Sequence, residues 1–124
     1  MSATYPSLHR DAACEDRAVE IERLEKELNH ADHAVRLRAL RELKRRADAG
    51  EIVVGPARPW VNLHCHSAYS YNAHGFTVQR IAWECFKRGL MAAGIVDFDV
   101  LDGVDEVLEA SDALYLRFTA GIES

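Results

Sequence analysis

Apolar residues recur along this chain at two different spacings. Ile21, Leu24, Leu28, Ala31 and Val35 follow one another at steps of three and four, the period of an α-helix. Polar residues from Asn29 to Asp32 interrupt the pattern, and Asp32 is suited to cap a second helix. Leu37, Leu40, Leu43 and Ala47 then form a new stripe. Lys44, Arg45 and Arg46 fall in its last turn, where the helix dipole favours cations, and Gly50 supplies a stop. Residues 1–50 are thus expected to form a helical hairpin packed on its neighbour or on a protein partner. Residues 51–59, with Gly55, Pro56 and Pro59, read as a linker.

From Trp60 the pattern changes. Trp60 to His66 reads as a strand, followed by a polar loop over 67–76. Thr77 can cap a helix in which Val78, Ile81, Ala82, Cys85 and Phe86 share one face, and Gly89 ends it. Leu90 to Val96 is nearly all apolar, as expected of a strand covered on both faces. A loop over 97–103 leads to a short helix marked by Val104, Val107, Leu108 and Leu114. A third strand, Leu116 to Ala120, ends at Gly121-Ile122-Glu123. The order β-α-β-α-β predicts an α/β fold with adjacent parallel strands in the order 1-2-3 and right-handed crossovers.

Composition narrows the class. Of 124 residues, 48% are hydrophobic and 28% charged, the profile of a folded globular chain. The net charge of −5 argues against a nucleic-acid partner, which a basic face would attract. It is unevenly spread: residues 1–50 hold ten basic and ten acidic residues, whereas 51–124 hold five and ten. No run reaches the roughly 18 apolar residues of a membrane span, and residues 1–10 lack the apolar core of a secretory signal. Cys14, Cys65 and Cys85 are an odd, scattered set, which suggests a reducing cytoplasm.

Chemistry in such folds gathers at the C-terminal ends of the strands. His64 and His66 lie there, with Asp97 and Asp99 at the next strand end and Glu123 at the third. Alternation along a strand places His64 and His66 on one face and Cys65 on the other, under the helix. Two imidazoles and nearby carboxylates suit zinc, manganese or iron. Taken singly, each histidine is equally consistent with an ordinary hydrogen-bonded residue.

Three motifs then stand in order. Asn62-Leu63-His64-Cys65-His66-Ser67 is followed by a turn ending in Gly75. Gly94-Ile95-Val96-Asp97-Phe98-Asp99 is followed by Gly103, and Gly121-Ile122-Glu123 closes the series. Together they resemble the opening of a PHP domain, the polymerase and histidinol phosphatase family, over residues 60–124. The resemblance implies the first part of a distorted TIM-like barrel binding divalent ions in its mouth. It implies His64 and His66 as metal ligands, Glu123 as a bridging carboxylate, and Asp97 as the acid preceding the second motif's histidine. Asp97 and Glu123 would then be the catalytic carboxylates. His74 is a further candidate ligand from the turn, and Asp99 stands in reserve. Phe98 occupies the place of the family's usual histidine and removes one nitrogen.

The implied function is a metal-dependent hydrolase, a phosphoesterase acting on a small phosphorylated substrate. The alternatives are a non-catalytic binding module with a degenerate metal site, and a polymerase-associated nuclease. Closing such a barrel takes roughly 200 residues or more. The chain therefore reads as an incomplete PHP domain, with at most weak binding of one ion and little or no activity expected from this part alone.

Overall fold

The computed structural model describes residues 12–70 and 75–124. Helices α1 (Ala12–Glu27) and α2 (His33–Asp48) form the hairpin. Strand β1 (Arg58–Cys65), helix α3 (Val78–Lys87), strand β2 (Leu90–Phe98), helix α4 (Val104–Leu114) and strand β3 (Arg117–Glu123) follow. The three strands form one parallel sheet in the order β1-β2-β3.

Local chemistry explains the helix boundaries. The Asp32 carboxylate accepts the Ala34 N–H at 2.9 Å and starts α2. The Thr77 hydroxyl accepts the Arg80 N–H at 3.1 Å and starts α3. Helix α1 ends at Glu27, so Ala31, expected on its stripe, lies exposed in the turn.

Ala93, Ile95 and Asp97 alternate along β2 on the face toward α3 and α4 and are buried. The other face of the sheet is more open. Ala92 and Val96 are half-buried there, and Val61, which pairs with Ala92, is 51% exposed. Among the described residues, helices thus cover the apolar run of β2 on one face and not on both. Its residues instead pack against neighbouring strands and one helical layer.

The hairpin forms a further layer over α3 and α4. Leu24, Leu28, Leu40 and Leu43 join Val78, Trp83, Val107 and Leu114 in a single buried cluster. Trp83, fully buried, donates its indole N–H to Glu25 at 3.1 Å. Arg36 on α2 reaches into this layer and donates to Gln79 at 2.9 Å and to Glu106 at 2.5 Å.

Details differ from the sequence pattern at the strand ends and on one helix face. Strand β1 begins at Arg58 and takes in Pro59, where the pattern put a linker. Proline lacks a ladder donor but is tolerated on an edge strand, and β1 is one. Strand β3 runs to Glu123, so Gly121-Ile122-Glu123 is strand and not the residue group beyond it. Leu108, expected inside α4's stripe, is 63% exposed; Val107, Ala110 and Leu114 make the buried face.

Candidate metal centre

The C-terminal ends of β1 and β3 carry the histidines and Glu123, with the end of β2 between them. The register of β1 against β2 advances three residues, Asn62 to Cys65, while β2 advances two, Ala93 to Ile95. The extra residue is a bulge, and bulges re-aim side chains. Simple alternation is therefore not the whole account of His64, which lies inside the bulge. Cys65 shares the face of Ile95 and packs half-buried against the core below α3, as alternation predicts. Burial pushes the Cys65 thiol up.

His64, His66 and Glu123 come together. The His64 Nε2 is 3.1 Å from Glu123 Oε2, and the His66 Nε2 is 3.8 Å from the same oxygen. The two imidazoles meet edge to face with centroids 5.2 Å apart. One ligand atom from each of the three residues lies within 4.8 Å of the others. His64 is the exposed member, whereas His66 and Glu123 are partly buried.

These spacings fit a divalent ion. A tetrahedral ion with bonds near 2.1 Å needs ligand atoms separated by roughly 3.4 Å. The separations of the two histidine nitrogens from the Glu123 oxygen, 3.1 and 3.8 Å, bracket that value. Two imidazoles and one carboxylate are also the donor set of open catalytic zinc sites and of non-haem iron sites. In addition, the His66 Nδ1 is buried and meets no hydrogen-bond partner among the described residues. A buried imidazole nitrogen of this kind calls for a water molecule or an ion.

The remaining expected residues are placed differently. Asp97, expected at the rim as a ligand and catalytic acid, is 1% exposed and faces the helical layer. It accepts the Ser67 N–H at 2.6 Å and the Ser67 hydroxyl at 2.5 Å, and it does not join the three-residue group. The parity of β2 accounts for this, because the residue that shares Glu123's register and face is Phe98. The Phe98 ring stacks on His66 with centroids 5.0 Å apart and planes at 20°. Asp99 is exposed in a left-handed conformation, φ 57°, and donates its N–H to the Glu123 carbonyl at 2.9 Å. It too stays outside the group. His74 lies outside the described residues.

The sequence assigned no role to Ser67 or to the buried Arg36. For Ser67 the signal was its place directly after the histidine pair. For Arg36 it was position: the residue falls in helical phase with the buried Leu40 and Leu43.

No family model matches the chain, and no solved structure matches it. Over 69 residues, 56% of its length, the chain is 33% identical to the error-prone DNA polymerase of Cutibacterium acnes. The chain spans about 6% of the length of that curated relative.

Proposed function

We propose that this chain carries part of a metal-dependent hydrolase of the PHP type, acting on small phosphate esters in the cytoplasm. The observation that carries the reading is the convergence of His64, His66 and Glu123 at the rim of a parallel sheet. The relative named above adds support, since the PHP resemblance extends to polymerase-associated proteins. The three-stranded β-α-β-α-β unit is compatible with the first part of a TIM-like barrel.

His64, His66 and Glu123 would hold the ion. A divalent ion bound there lowers the pKa of water toward about 7 and offsets charge developing on phosphoryl oxygens. The chain's own residues prepare the place. Glu123 sets a carboxylate between two imidazoles, so the donors are assembled before any ligand arrives. The exposed His64 leaves one side open to substrate. Phe98 covers one face of the His66 ring. The net charge of −5 favours a small phosphorylated substrate over a nucleic acid.

The test is metal content and turnover together. The chain loaded with zinc or manganese should retain bound ion that a His64→Ala, His66→Ala double variant loses. It should hydrolyse an aryl phosphate more slowly than an ordinary enzyme's roughly 10 per second. Equal metal content in the two proteins would refute the reading. A second reading, a binding module without turnover, is favoured by Phe98, which puts hydrocarbon where a further donor would serve. Bound metal with no hydrolysis that depends on His64 would select it.

A further inference from the structure

We infer that Asp97 is a positioning residue for this centre, one that holds His66 in place and does not touch the ion. The inference rests on the metal-site reading above. Asp97 is 1% exposed and Ser67 fully buried, and both carboxylate oxygens are committed. Asp97 Oδ1 takes the Ser67 N–H at 2.6 Å, and Oδ2 takes the Ser67 hydroxyl at 2.5 Å.

That N–H belongs to the peptide unit joining His66 to Ser67. Its direction is set by ψ of His66, so a short charge-assisted bond to it fixes how the backbone leaves His66. The Ser67 hydroxyl also accepts the Tyr69 N–H at 3.3 Å. The Phe98 N–H donates to the Ser70 hydroxyl at 3.2 Å, which ties the same loop to the end of β2 a second time. On the opposite face, Phe98 stacks on the His66 ring. Adjacent residues of β2 therefore grip His66 from two sides: Asp97 through its backbone, Phe98 through its ring.

Loss of a group that orients a metal-binding histidine typically weakens metal affinity about 10–100-fold. Three measurements on the full chain test the role. Zinc affinity, read by competition with a chromophoric chelator, should fall by that factor in Asp97→Ala. Asp97→Asn, which keeps an acceptor for the Ser67 N–H, should recover part of it. The cobalt spectrum at saturation should be the same in wild type and Asp97→Ala, since the coordinating atoms do not change. In the metal-free protein, the His66 ring protons should lose their upfield shift over Phe98 when Asp97 is removed.

A changed cobalt spectrum would make Asp97 a ligand and overturn the inference. So would an unchanged zinc affinity, or an unchanged His66 shift. If the wild type binds no zinc, the hydrolase reading fails, and the metal-free His66 shift still decides whether Asp97 positions the ring. Should Asp97→Ala not fold, Ser67→Ala removes one of the two bonds and should move the His66 shift in the same direction. No movement there would equally overturn the inference.

Discussion

Glu106 is 4% exposed and still ionised, which requires compensation. Arg36 donates to its Oε1 at 2.5 Å and Gln79 at 2.9 Å, while Arg36 also donates to the His30 and Ala31 carbonyls. Burial alone would raise the Glu106 pKa, but the hydrogen bonds from Arg36, Tyr69 and Gln79 outweigh it and hold it below the ordinary 4.5. The Tyr69 phenol is pushed up in turn, first by its hydrogen bond to the Glu106 carboxylate. Removing the Glu106 charge leaves Arg36 buried and unpaired, a loss of about 3–5 kcal/mol for a buried pair. Glu106→Gln should therefore destabilise strongly at pH 7 in urea unfolding. A lowered folded pKa contributes stability that is complete above the unfolded value and lost as pH falls through the folded one. The gap between wild type and Glu106→Gln should accordingly hold down to about pH 4.5 and shrink below it. Cys85 gives a second residue-scale expectation. Burial first, and the nearby Cys65 second, push its thiol up to about 11. At pH 8 iodoacetamide should label exposed Cys14 well before Cys85 in the folded protein, as peptide mapping would show. Equal labelling of the two would contradict the burial. Such buried partnerships were the least legible part of the sequence. The phase of Arg36 was visible there, but its partners Gln79 and Glu106 are 43 and 70 residues away.

At the scale of elements, the pattern is legible wherever a local rule decides the outcome. Asp32 and Thr77 cap the helices they precede, because a side-chain oxygen there meets free N–H groups within the next turn. Asp32→Ala should cost about 1 kcal/mol, read as a lower urea midpoint with an unchanged slope. Gly89 ends α3 for a reason that goes beyond its φ of +73°. A Cβ at this position would stand 2.2 Å from the Pro56 carbonyl oxygen, and the Gly89 carbonyl accepts the Arg58 N–H at 2.8 Å. The turn thus carries the chain past the start of β1 with no room for a side chain. Gly89→Ala should destabilise by at least about 2 kcal/mol, more than a glycine-to-alanine change in an open turn. Rules that depend on pairing were not legible. The bulge between Asn62 and Cys65 is a property of β1 laid against β2, and period-two alternation cannot register it. The same alternation does predict the two faces of β2. Applied to Asp97 and Phe98 together, it would have put the phenylalanine beside Glu123 and the aspartate beneath.

The whole molecule is layered, with the sheet on one side, α3 and α4 in the middle and the hairpin outside. The helical period made the hairpin's apolar stripe legible, but what that stripe covers depends on contacts distant in sequence. The structure gives the hairpin and the β-α-β-α-β unit one continuous core, in which Leu28, Leu40 and Leu43 are fully buried with Trp83, Val78 and Leu114. Polar contacts cross the same boundary. The Thr77 hydroxyl that caps α3 donates to the Leu28 carbonyl at 2.5 Å, and Arg80 donates to the Glu25 carbonyl at 3.1 Å. A shared core of this kind makes unfolding of one layer costly for the other, so the two should melt together. Trp83 is a built-in reporter, because its ring is buried at the boundary and its N–H is held by Glu25 of α1. Leu40→Ala removes a fully buried side chain from the outer layer and should cost about 2–5 kcal/mol. If the layers are one cooperative unit, the loss must appear equally in the helical signal at 222 nm and in Trp83 fluorescence, read in a Trp60→Phe background because Trp60 is exposed on β1, with coincident urea midpoints. Two separated transitions, with Trp83 reporting only the first, would mean that the hairpin detaches while the sheet persists. That outcome would contradict a single core.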